Sequence, residues 1–370
     1  MTPEGHGQLA GLGAAVLFGC SAPLISTLTG AGSALSIAAV LYGGASLALV
    51  PVALAQPRPR GRHRADTETP VRRADWPALM ALTVLGGVIG PVALVLGLAR
   101  LPAASSSLLL NLEAVFTLAI AVLVGREHLG RRALLAAVLT IAGAVVLSEG
   151  SLSGASWQGA GLIALATLAW GIDNNLSQRL SLRDPLQIAS IKAVGASLPM
   201  LGLAQLLGHR FPAPPVIAAL LLIGALGYGL SIWLDLLALR ALGAAREAVI
   251  FASAPFVGAF FSVLVLREAP TGPLLIAAGL MVTGIVLLLR DAHSHWHLHE
   301  RLQHAHRHRH DPRRHDPCAL DDPHHDHSHS AEELSGMRSD RPFWHAHEHR
   351  HEDMEHAHPH VSDAHHRHRH

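Results

Sequence analysis

Apolar residues in this chain come in long unbroken runs. From Met1 to Arg290 ten runs alternate with polar connections, at 9–29, 33–55, 77–99, 103–124, 131–148, 157–178, 186–207, 216–239, 245–266 and 272–289. A helix needs about 20 apolar residues to cross the hydrocarbon of a bilayer, and each run is close to that length. Barrel strands would be about half as long and would alternate. These runs are Leu, Ala, Val and Gly with little alternation. The pattern predicts an all-α membrane protein of ten transmembrane helices, since in lipid each backbone polar group must be satisfied within its own helix. After Arg290 the pattern stops. Residues 291–370 are polar, hold 24 of the 28 histidines and contain few large apolar residues. That composition predicts a disordered His-rich C-terminal tail.

Charge adds direction to this picture. With the N-terminus inside, the even-numbered connections and the end of the last run carry 14 arginines. The opposite side carries three, Arg100, Arg210 and Arg267. Positive residues collect on the cytoplasmic side, so both termini and the tail are expected in the cytoplasm of a multi-pass cell (inner) membrane protein. The first run is long and has no Lys or Arg before it, which speaks against a cleaved signal peptide. The two cysteines, Cys20 in a run and Cys318 in the tail, give no disulfide framework.

The runs also repeat. "RLPAASSSLLLNLEAVFTLAIAVLVGREHLG" aligns without a gap on "ALGAAREAVIFASAPFVGAFFSVLVLREAPT" at an offset of 141, so that Arg126-Glu127 falls on Arg267-Glu268. "AAVLFGCSAP" aligns on "ATLAWGIDNN" at an offset of 152, so that Phe18-Gly19 falls on Trp170-Gly171. Two five-helix units follow, 9–149 and 157–290, with 291–370 as the tail. Five is odd, so the second unit enters the membrane from the opposite face. Such inverted repeats carry a site near midplane between the halves.

On these residues the sequence resembles the EamA-type transporters of the drug/metabolite transporter superfamily. Each unit ends alike, in "GREHL…GAVVL" and "LREAP…GIVLLL", and Pro255 and Glu268 keep the family's 13-residue spacing. In the first unit Ala114 stands at the proline position, which makes the two fourth helices unequal. The resemblance implies a secondary transporter, often a metabolite exporter, and names no substrate.

Ionisable groups inside a span cost about 3 kcal/mol or more and are usually paired or functional. Glu113 lies near the middle of its run with Asn111 two residues before it. A carboxylate at that depth can load and release a proton, which makes Glu113 the candidate for ion coupling; the alternative is a neutral carboxyl holding a neighbouring backbone. Asp173, Asn174, Asn175 and Gln178 crowd one end of the sixth run. Asp173 lies about 7 Å inside its run, and Lys192, the chain's single lysine, about 9 Å inside the next, antiparallel run. The matching depths predict an Asp173–Lys192 contact; otherwise Lys192 must snorkel to the surface. Tyr228 and Ser231, three apart, share a face of the eighth run.

The tail repeats HxHxHxHE followed by HAH at an offset of 52. His293, His295, His297, His299, His304 and His306 match His345, His347, His349, His351, His356 and His358. Imidazole with nearby carboxylate suits Zn, Ni, Co or Cu, and alternate residues of an extended chain can offer two nitrogens to one ion. A second reading is a pH response: with neutral histidine the tail carries −5, and full protonation would bring it to +19. A third is a passive solvated appendage.

Together these features predict a secondary transporter, exporting a small metabolite, with a metal-binding tail. The alternatives are a divalent metal exporter and a membrane-tethered metal store or sensor. The spans hold no cluster of His, Cys and carboxylates, which weighs against metal as cargo. No P-loop, nucleotide fingerprint or Ser/His/Asp arrangement supports catalysis, so no enzyme and no cofactor for transport is expected. The expected partners are the lipid bilayer, a small-molecule substrate and metal ions at the tail, not nucleic acid.

Overall fold

The computed structural model describes residues 3–55, 70–125, 131–149, 154–180, 183–242, 250–289, 293–299, 302–310, 343–351 and 354–360. Before the tail the described chain is helical: α1 Pro3–Ser26, α2 Ala34–Ala55, α3 Arg73–Leu98, α4 Ala103–Val124, α5 Arg131–Glu149, α6 Gly154–Leu180, α7 Pro185–Leu206, α8 Pro214–Ala238, α9 Ala254–Leu264 and α10 Gly272–Leu289. Local chemistry starts several of them. Asp184 accepts the backbone N–H groups of Leu186 and Gln187 at 2.9 and 3.3 Å, with Pro185 in the first turn of α7. Proline suits that position because its missing N–H would be unpaired there anyway. The same holds for Pro214 at the start of α8.

Seven of these helices, α1–α5, α7 and α8, are long and apolar enough to cross a membrane. The sequence pattern led to an expectation of ten. α6 has the length, but its end carries Asp173, Asn174, Asn175, Gln178 and Arg179, which dilute its apolar character. α9 is described over 11 residues, with a turn at Ala252–Ser253 before it and residues 243–249 outside the described residues. α10 counts as a shorter apolar helix. Arg126–Glu127 and Arg246–Glu247 lie outside the described residues.

Exchanging the two halves, α1 for α6 through α5 for α10, maps the main helix contacts onto themselves. α1 packs on α8 and α9, and α6 packs on α3 and α4; α2 packs on α8, and α7 on α3. α2 meets its own mate α7, α4 meets α9 and α5 meets α10. The details repeat as well. A β-carbon on Gly143 of α5 would lie 3.2 Å from the Ala277 carbonyl of α10; one on Gly284 of α10 would lie 2.9 Å from the Ala136 carbonyl of α5. Both pairs obey the 141-residue offset. Small residues at these crossings let the helix backbones approach. Ser46 and Ser197, mates 151 apart, meet each other at 3.4 Å between hydroxyl oxygens. A π-helical stretch interrupts α3 at Thr83–Ile89 and α8 at Ala225–Leu230. α4 breaks at Leu110–Asn111, as the chain does at Ala252–Ser253 before α9.

In the tail, four segments are extended: β1 His293–His299, β2 Leu302–His310, β3 Phe343–His351 and β4 Met354–His360. β1 pairs antiparallel with β4, and β2 with β3. This departs from the disorder expected of the whole tail. The HxH alternation is itself a period-two pattern, and pairing satisfies backbone groups without an apolar core. Residues 311–342 and 361–370 lie outside the described residues.

Candidate functional site

The polar residues of the spans gather where α6 runs past α3, α4 and α7. Lys192 Nζ donates to Asp173 Oδ2, forming an ion pair between α7 and α6. This is the contact expected from their matched depths. Asp173 is only 5% exposed, and its Oδ1 is buried with no hydrogen-bond partner. The carboxyl lies against Gly86, in the π-helical stretch of α3, with no room for a β-carbon there. A π-helical turn is rare and often marks a functional position. Here the Gly86 carbonyl accepts two side-chain hydrogen bonds, from Tyr42 Oη at 2.9 Å and from Trp170 Nε1 at 3.1 Å.

Glu113 opens the helical segment that follows the break in α4, and it is half-buried. Its Oε1 accepts from Asn174 Nδ2 at 2.7 Å. One turn further along, Asn175 Nδ2 donates to the Thr117 carbonyl at 3.1 Å and to the Gly171 carbonyl at 2.8 Å. Two neighbouring amides of α6 therefore hold α4 across the boundary between the halves. Glu113, Asp173, Asn174, Asn175 and Lys192 form one polar cluster with two carboxyls and one ammonium.

The other expected site residues sit elsewhere. Asn111 does not reach Glu113: its Nδ2 donates to the Leu108 carbonyl at 2.9 Å and lies 3.7 Å from Met281 Sδ, closing the first segment of α4. It lines a small cleft with Ala114, Thr140 and Gly284 between α4, α5 and α10. Ser231 Oγ donates to the Ala14 carbonyl at 3.0 Å, a link between α8 and α1. Tyr228 is buried, with its hydroxyl beside Ser21 of α1. Its ring stands 5.6 Å from that of Tyr42 and 6.1 Å from that of Phe18. Phe18 also meets Trp170 edge-on at 6.0 Å, so two residues aligned by the repeat touch each other. The tail register sets His295 opposite His358, His297 opposite His356, His304 opposite His349 and His306 opposite His347. His293 faces His360 and His345 faces His308, whereas His299 faces Met354 and His351 faces Leu302. Among residues with described side chains, no group of three His, Cys, Asp or Glu could hold a metal ion.

Sequence reasoning missed Tyr42, Trp170 and the Gly86 carbonyl as parts of this site. Composition held one signal: the chain has only two tyrosines, and both fall in apolar runs.

Several helices suited to crossing a bilayer, repeated as two interlocked halves around a polar cluster that is buried at Asp173 and open at Asn174, define a multi-pass membrane protein with the architecture of a transporter. The model of the EamA-like transporter family matches residues 5–149 and again 157–290, and the chain belongs to that family. An uncharacterized transporter of Methanothermobacter thermautotrophicus is 30% identical over 232 residues, covering 61% of this chain and 68% of that protein. A crystal structure at 18% identity superposes with a TM-score of 0.55, covering 76% of this chain and 95% of that one, a likeness of fold.

Proposed function

We propose that the protein is a secondary transporter of ten crossings in two inverted halves, exporting a small metabolite across the cell (inner) membrane with both termini in the cytoplasm. The observation that carries this reading is the Glu113–Asn174 hydrogen bond, with the Asp173–Lys192 pair beside it. A titratable carboxyl there joins α4 of one half to α6 of the other. A proton gained or lost at Glu113 changes the contact that holds the halves together, which is what coupling requires. Glu113→Gln keeps an acceptor for Asn174 and removes the titration. In proteoliposomes loaded with a metabolite mixture, wild type should lose cargo in response to an imposed pH gradient, and Glu113→Gln should not respond. An equal response in both sinks the coupling role, and no cargo loss from wild type sinks the reading as a transporter.

The tail, in this reading, binds a divalent transition metal and is accessory to transport. The duplicated HxHxHxHE pattern supports it, because alternating imidazoles give several equivalent ligand sets. Deleting 291–370 should abolish tight Zn²⁺ binding to the purified protein while metabolite efflux persists. Unchanged Zn²⁺ binding would remove the tail from the account. Loss of efflux together with metal export by wild type would favour metal as the cargo.

A further inference from the structure

Two seams between the halves occupy corresponding places at opposite ends of the bundle. At the end where α6 stops and α7 begins, Arg183 donates through Nε to Asp75 Oδ2 at 2.7 Å and through a second guanidinium nitrogen to Oδ1 at 3.2 Å. Asp75 belongs to the first half and Arg183 to the second. The same Oδ2 accepts the Arg72 backbone N–H at 2.7 Å, and Gln187 Oε1 accepts the Val71 backbone N–H at 2.8 Å. Deeper along this end lie two more side-chain contacts across the halves, Asn174 to Glu113 and Asn175 to the Thr117 carbonyl. With the offset that relates Ser46 to Ser197, the counterpart of Arg183 is Gly32. There the seam is backbone and ring: the Ser33 N–H donates to the Arg210 carbonyl at 3.0 Å, and Gly32 packs on Pro212, whose Cδ would lie 2.9 Å from an added β-carbon. Among the described residues no ion pair crosses this second seam. Glu268 holds a separate corner of that end, accepting the Ala103 and Ala104 N–H groups at 2.8 Å each.

The two seams differ in what parting them costs. The Asp75–Arg183 pair keeps 12% and 20% of its side-chain surface exposed, so water can take over the bonds of both charged groups as they separate. The packing of Gly32 on the Pro212 ring has no such substitute, because separating apolar atoms simply forfeits the contact. We infer that the Asp75–Arg183 and Val71–Gln187 contacts are a gate. The α6–α7 hairpin swings from the start of α3, water reaches the Asp173–Lys192 pair from that face, and the Gly32–Pro212 seam stays shut meanwhile. The inference rests on the transporter reading, and it names the groups that part.

Cysteine accessibility tests it in the full chain with Cys20 and Cys318 replaced by serine. Ser190 is buried on α7, two residues before Lys192, and its hydroxyl has no partner. Ser190→Cys is exposed to a membrane-impermeant maleimide in inside-out and right-side-out vesicles. Labelling should come from the Arg183 face alone and run several-fold faster with Arg183→Gln. The reversed pair Asp75→Arg with Arg183→Asp should return it toward the original rate. An unchanged rate in Arg183→Gln, or no recovery in the reversed pair, overturns the gate. Equal acceleration of a Ser21→Cys reporter, buried behind the other seam, also overturns it by showing general loosening. Labelling needs no transport to be read. Gated labelling in a protein that moves no cargo sinks the transporter reading and spares the gate; ungated labelling in a transporting protein does the reverse.

Discussion

The two halves share a backbone plan and differ in chemistry at equivalent points. In the repeat alignment Asp173 corresponds to Ser21, Asn174 to Ala22, Glu113 to Ala254 and Lys192, by the Ser46–Ser197 offset, to Leu41. The backbone environment is the same at both corners: Asp173 presses on Gly86 as Ser21 presses on Gly227, where an added β-carbon would lie 2.7 Å from Ser21 Cβ. Gly171 abuts Phe116 as Gly19 abuts Val257. One corner is therefore charged, and its twin carries no charge, only the hydroxyls of Ser21 and Tyr228. A duplicated fold supplies two positions for a site, and this sequence has used one of them. Symmetric packing thus coexists with one-sided chemistry.

Breaking the charged corner should have the largest effect. Lys192→Met leaves Asp173 buried and unpaired, a loss of about 3–5 kcal/mol for a broken buried pair. Adding Asp173→Asn should recover most of it, because the double variant buries no charge. Thermal unfolding in detergent measures both, and a single variant as stable as wild type would show that Lys192 carries no structural pairing. The next effect tests whether the corner depends on close approach. Gly86→Leu should cost about 1–3 kcal/mol through overpacking against Asp173. Gly202→Leu, with open space around it, should cost little. Equal losses at both positions would remove the packing argument. The smallest effect concerns a contact outside both corners. Glu268→Gln weakens a charge-assisted cap on α4 and should cost about 1 kcal/mol. No shift in melting temperature would show that the cap adds nothing measurable.

Much of this was legible in the order of residues. Long apolar runs mark the helices because lipid leaves the backbone no other solution, and the Arg126/Arg267 and Phe18/Trp170 alignments carry the repeat. Depth alone placed Lys192 beside Asp173, since antiparallel neighbours at equal depth must pass one another. Other features escaped because they depend on backbone geometry. The π-helical stretches leave no periodic signature in a run that is apolar all round, so the Gly86 carbonyl and its donors Tyr42 and Trp170 stayed hidden. Asn111 looked like a companion of Glu113 at two residues' distance, yet the break at Leu110–Asn111 turns it to Leu108 and Met281. Hydropathy also does not register the turn at Ala252–Ser253 inside the ninth run.

The reciprocal fit of Gly143 on α10 and Gly284 on α5 has the form of an isologous interface, in which one patch meets its own copy. Such an interface closes without any covalent link between its partners. A polypeptide severed between Glu149 and Gly154 retains all of these non-bonded fits. Its two pieces, made separately in one cell, have what they need to find each other and rebuild the bundle as a heterodimer.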